Sequence, residues 1–180
     1  MSHIVVALLI IFTTISIPLV FILMHRSKLK KKKEKMLLFF SKVGTLHNLS
    51  FTDQQVLRDK IIGLDEPERK LLIVEENGEM YNSKIIDLHE VKTCKVKKTY
   101  SIVNIGDSKK SRLEQSLNTI ELQFDFKNEN TPIAFPFYKD SINSVHDMAK
   151  LENQSKYWEE ILSKILAGQE QRSLKKIPVV

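Results

Sequence analysis

Residues 120–127 read Ile-Glu-Leu-Gln-Phe-Asp-Phe-Lys, and the fold turns on how this stretch is read. In an extended chain Ile120, Leu122, Phe124 and Phe126 fall on one side, and Glu121, Gln123, Asp125 and Lys127 on the other. Such period-two alternation marks a strand with one face in a core and the other in water, the pattern of antiparallel sheet. Toward the C-terminus Asn128 to Asn130 supply a turn, and Ile133, Phe135 and Phe137 alternate again. Pro132 and Pro136 have no N–H for a ladder, so this last strand is predicted to be a sheet edge.

Toward the N-terminus the same period continues. The segment from Ile105 to Ser116, with Gly106, Asp107, Lys109, Lys110 and Arg112, has no apolar period and reads as an exposed loop. Before it, Val91 to Asn104 forms a long strand, and Ile85, Ile86 and Leu88 a shorter one. Asn77 and Gly78 are the dipeptide of a type I′ hairpin, in which both central residues take positive φ. Leu71 to Val74 is a buried strand, and Val56 to Leu64 another, with Asp65 to Arg69 turning the chain between them.

A helix is expected from near Ser144, which with Asp147 resembles a capping box, to Gly168. Leu151, Trp158, Ile161, Leu162, Ile165 and Leu166 share one of its faces. It is placed over the open end of a bent sheet or partial barrel, with Trp158 buried against the strands. Residues 169–180 lack a periodic face and read as a flexible tail.

Ahead of the strands lies a different composition. From Ile4 to Met24, 17 of 21 residues are apolar and none is charged. A helix of that length matches the roughly 30 Å hydrocarbon core of a bilayer, so the run is read as an uncleaved transmembrane helix. Arg26, Lys28, Lys30, Lys31, Lys32, Lys33 and Lys35 follow it against a single acid, Glu34. By the positive-inside tendency this places the C-terminal domain in the cytoplasm, on a single-pass anchor in the cell inner membrane. These seven cations are the candidate lipid-facing site. Met36, Leu37, Phe40, Val43 and His47 then recur at helical spacing as a connecting helix from about Lys30. The expected organisation is an anchor over 1–25, a basic juxtamembrane segment and connecting helix over 26–52, a folded domain over 53–168 and the tail. The fold class expected is therefore a transmembrane helix plus an α+β domain of six to seven antiparallel strands.

The net charge of +6 resides in that one basic run, because residues 36–180 hold 21 basic and 21 acidic groups. A neutral domain excludes nucleic-acid binding by a distributed basic face. The histidines at 3, 25, 47, 89 and 146 make no pair at ligand spacing, so no metal site is expected. The scattered glycines make no phosphate loop, and no cofactor is expected. Cys94 is the only cysteine; Lys92, Lys95, Lys97 and Lys98 near it could lower its thiol pKa, but a buried structural thiol is the better reading. Nothing points to an enzyme. The expected function is a membrane-tethered interaction module binding a protein or peptide, argued from the edge strand near Pro132, with an anionic-lipid-sensing domain as the alternative. The apolar run has no G-x-x-x-G and argues no dimer face.

The order of strands, hairpins and a single C-terminal helix resembles the pleckstrin-homology-like superfold. More closely, Ile61, Ile62, Gly63, Leu64, Asp65, then Leu71 to Val74, then Ile85, Ile86, Asp87, Leu88 and Val91, and finally Trp158, look like a group of uncharacterised bacterial single-pass membrane proteins carrying such a domain. The resemblance implies a fold and brings no catalytic residue with it. In eukaryotic relatives of the superfold a basic loop binds phosphoinositides, which would give Lys95, Lys97, Lys98, Lys109, Lys110 and Arg112 a comparable role.

Overall fold

In the computed structural model the backbone is described for residues 2–105, 112–128 and 131–175. Side chains lie outside the description at most of residues 2–25 and at 103–105, 112–114 and 169–175. Helix α1 (Ser2–Leu46) is followed by β1 (Asp53–Val56), β2 (Lys60–Asp65), β3 (Lys70–Asn77) and β4 (Met80–Asp87). Then come β5 (Val91–Ile105), β6 (Arg112–Phe126), β7 (Ile133–Lys139), a 3-10 turn (Val145–Asp147) and helix α2 (Met148–Lys175). The strands make two antiparallel sheets, of order β1-β2-β3-β4 and β5-β6-β7. The chain divides into two compact units, one of residues 1–63 and 72–85, the other of 64–71 and 86–180.

The first unit is organised by the end of α1. Met36, Phe40 and Val43 are buried with Ile61 of β2 and Leu72 and Val74 of β3, ringed by Phe39, Leu49, Phe51, Val56, Tyr81 and Ile85. The helix stops at a Schellman motif, in which Leu49 N–H donates to the Gly44 carbonyl at 2.9 Å and Asn48 N–H to that of Thr45 at 3.1 Å. Asn48 takes the left-handed position this stop requires, with φ 53°. Phe40 and Phe51 stack at 4.5 Å between ring centroids. Both press on glycines: a Cβ on Gly63 would stand 2.9 Å from Phe51 Cδ1, and one on Gly44 2.7 Å from Phe51 Cε2. Lys60, buried in β2, is paired with Glu75 of β3, Nζ to Oε1 at 3.1 Å. The β3–β4 hairpin turns on Gly78, with φ 65°, and Asn77 is not in the left-handed region. Positive φ at the first central residue alone is the requirement of a type II′ turn, so the type I′ expectation is replaced.

In the second unit Ile120, Leu122 and Phe124 of β6 are wholly buried. They lie opposite Tyr138, Phe135 and Ile133 of β7, with a register shift after Ile120. That shift seats Tyr138 where strict alternation would put Phe137, and both are buried. Against β5, β6 and β7 lies α2, with Leu151, Ser155, Trp158, Leu162 and Leu166 buried along it. Ser144, expected to cap this helix, caps the 3-10 turn ahead of it instead, the hydroxyl accepting from His146 N–H at 3.3 Å. Two acids fasten it to β5. Glu159 Oε1 accepts the backbone N–H of Val96 at 2.8 Å, and Glu152 Oε1 meets Lys98 Nζ at 2.8 Å and Lys156 Nζ at 2.7 Å.

Several expectations are corrected. Among the described residues no helix is long and apolar enough to cross a membrane. The transmembrane helix of the expected fold class is therefore not supported. With it go the integral membrane partner, the single-pass topology and the inner-membrane localisation. The run from Ile4 to Met24 belongs to α1, but its side chains other than Phe12, Thr14, Val20 and Met24 lie outside the described residues. The rest of α1 offers no span: residues 26–35 are exposed and mostly charged, and the apolar residues beyond them are spaced for a core, not continuous as a bilayer requires. The strands form two antiparallel sheets where one bent sheet or partial barrel was expected, and the pairing does not by itself confirm a pleckstrin-homology-like domain. The connecting helix has no start of its own, being continuous with all of α1. Strand β6 begins at Arg112, inside the expected loop, while residues 106–111 lie outside the described residues. The last helix passes Gly168 and runs to Lys175, and residues 176–180 lie outside the description.

Candidate functional site

Arg26, Lys28, Lys30, Lys31, Lys32, Lys33 and Lys35 are all exposed on α1. At about 100° per residue seven cations within ten positions surround the helix and do not converge on one face. Lys32 Nζ meets Glu76 Oε1 of β3 at 2.8 Å, which ties the run to the first unit. The second basic group is divided by alternation along β5. Lys95 and Lys97 are exposed, whereas Lys98 turns to Glu152. Lys109 and Lys110 lie outside the described residues, as does the side chain of Arg112.

Cys94 is buried on β5. Burial pushes its thiol far above the usual range, and the carboxylates of Glu159 and Asp125 add to this, so it stays protonated. The lysines beside it in sequence do not offset that shift. His47, His89 and His146 are exposed. Among the described residues no group of His, Cys, Asp or Glu is placed to hold a metal ion.

The two ends of the three-stranded sheet differ. At β7 Pro136 offers no donor, and Lys139 N–H is already given to Asn143 Oδ1 at 2.8 Å. At β5 the edge changes character along the strand. Its first half is held by α2 through Val96 and Lys98. Its second half outruns that cover: β5 pairs with β6 through to Ile105 opposite Arg112, whereas β7 pairs with β6 only from Thr119 to Phe124. A register shift between Thr99 and Tyr100 marks where the two-stranded ribbon leaves the sheet. On the side of β5 that faces α2, exposure rises from 4% at Cys94 to 53% at Tyr100 and 71% at Ile102. The apolar face thus continues beyond what buries it.

Sequence reasoning placed the accessible edge near Pro132 and missed this one. A signal was there: Thr99 to Ile105 has no charge, proline or glycine, and five of its seven residues are β-branched or aromatic. No protein-family model, curated protein or solved structure matches the chain.

Proposed function

We propose that this chain is a protein-interaction module whose contact surface is the outer edge of the β5–β6 ribbon, taking up an extended segment of a protein or peptide as an added strand. The observation carrying this reading is the exposed continuation of the core face at Tyr100 and Ile102, on a strand at the end of its sheet. Main-chain hydrogen bonds along an open edge supply affinity, and alternate side chains supply selection. The test is a peptide-display selection on the full chain. Enriched extended sequences lost on Ile102→Lys, with an unchanged melting temperature, support the reading. No enrichment, or enrichment indifferent to Ile102→Lys, rejects it.

The exposed cations of α1 favour a second reading, contact with an anionic lipid surface. Each cation held near such a surface contributes about 1 kcal/mol, screened by salt. Flotation with anionic vesicles that falls as salt rises would support it, and flotation indifferent to lipid charge would reject it.

A further inference from the structure

From the edge just described we infer that the strand taken up by β5 is the same segment of a second copy, Thr99–Ile105 pairing antiparallel with itself about a two-fold at Ile102. The inference rests on the ribbon being an interaction surface and names its occupant.

The devices that normally blunt a sheet edge are lysine, proline, bulges, short length and a covering helix. Around this segment three of them, charge, proline and a covering helix, are in use. The first half of β5 has Lys92, Lys95, Lys97 and Lys98 and is covered by α2, the ribbon's other strand has Arg112 and Glu114, and β7 has Pro136. Between Tyr100 and Ile105 there is no lysine, no proline and no register shift, the one irregularity lying at the Thr99/Tyr100 step where the ribbon begins. The gap in protection is local.

Charge then decides the occupant. Beside the fit of alternate side chains, opposite charge is a means by which a site selects a foreign strand. This edge has no charge with which to select one. In a two-fold antiparallel pair each strand meets its own sequence reversed, so the central residue lies opposite its own copy and any net charge on the strand repels itself. A neutral strand of β-branched and aromatic residues escapes both penalties. Centring on Ile102 places Ser101 opposite Val103, Tyr100 opposite Asn104 and Thr99 opposite Ile105 of the other copy. Tyr100 and Ile102 alternate onto one side of β5. The pairing therefore gathers the exposed Tyr100 and Ile102 of both copies into one apolar cluster, next to half-buried Leu117, the partner of Tyr100 across the ribbon. It also turns a two-stranded ribbon, marginal in water, into the centre of a four-stranded one.

Sedimentation of the full chain over a range of concentrations is the first test, with a dimer expected that dissociates on dilution. Ile102→Lys sets two cations opposite each other at the two-fold and should weaken the dimer about tenfold or more. Because Ile102 is exposed, the melting temperature at concentrations where the native chain is monomeric should not change, whereas the rise in melting temperature with concentration should be lost. Ile102→Cys reads the register: directly opposed strand residues have Cα atoms about 4.5 to 5.5 Å apart, within disulfide reach. This variant should link two chains on mild oxidation, while Lys97→Cys, well displaced along the strand from its copy, should not. The native Cys94 is buried and does not compete. A monomer at all concentrations, a dimer unaffected by Ile102→Lys, or no link between chains carrying Ile102→Cys overturns the inference. If the chain is monomeric yet display-selected peptides still depend on Ile102, the ribbon remains an interaction surface and only self-pairing falls.

Discussion

Gly63 shows how far a single missing side chain determines packing. It lies in β2 under the Phe40–Phe51 pair, where a Cβ would enter the space of both rings. Gly78 is the contrasting case, with no atom within 4 Å of an added Cβ but a φ of 65°. The first glycine is required by space and the second by backbone conformation. Gly63→Ala should therefore cost about 1 to 3 kcal/mol through overpacking, and Gly78→Ala about 1 kcal/mol through strain. Urea midpoints measure both, and the Phe51→Ala background separates the causes. Without that ring the cost of Gly63→Ala should shrink and that of Gly78→Ala should not. Equal costs in both backgrounds would show that Gly63 does not answer to Phe51. From sequence Gly63 was legible only as part of an apolar run, because the phenyl groups that require it come from a helix and a loop more than ten residues away.

Helix α2 illustrates what periodicity can and cannot convey about an element. Its apolar face and the burial of Trp158 on it could be read from spacing, since both follow from the period of one helix. What fastens it could not, because Lys98 and Val96 lie more than fifty residues away on β5. The register shift that brings Tyr138 opposite Ile120 was likewise hidden, because a bulge breaks the alternation from which strand faces are inferred. The ribbon was hidden for a third reason: charges around residues 106–112 gave the look of a loop to a region where Arg112 already begins a strand. The Glu152 cluster makes a prediction at this scale. Hydrogen bonds from Lys156 and Lys98 hold the Glu152 carboxyl below the usual carboxylate range, and the bond to Glu152 raises Lys98 above the usual lysine range. A depressed carboxylate stabilises above its unfolded pKa and loses that contribution as pH falls; a raised lysine stabilises below its unfolded pKa and loses it as pH rises. The stability gap between the native chain and Glu152→Gln should thus be widest from about pH 5 to 10 and close at both ends. These groups are partly solvated, so the gap should stay below about 1 kcal/mol, a melting shift under about 4 °C for a chain of this size. A gap that widens below pH 4 would contradict the assignment.

At the scale of the whole molecule the charge is lopsided, since the +6 excess comes from one helical run and everything after it is neutral. Two molecules of equal net charge can therefore behave differently toward a polyanion, depending on which lysines they keep. Reversing Lys30, Lys31, Lys32 and Lys33 to Glu makes the chain net negative and leaves only Arg26, Lys28 and Lys35 of the run. Reversing Lys84, Lys95, Lys97 and Lys150, all exposed, changes the net charge equally but spares the run. If closely spaced cations on one helix are the determinant, the first variant should lose retention on an anionic column or vesicle at moderate salt, and the second should keep most of it. Among the described residues Lys32 is the one position of the four with an ion pair to the fold, and a glutamate there would face Glu76. The triple reversal of Lys30, Lys31 and Lys33 should therefore lose retention with no change in melting temperature, whereas adding Lys32 should lower stability slightly. Equal loss in both four-residue variants would mean that net charge, and not its placement on α1, governs how this protein meets an anionic surface.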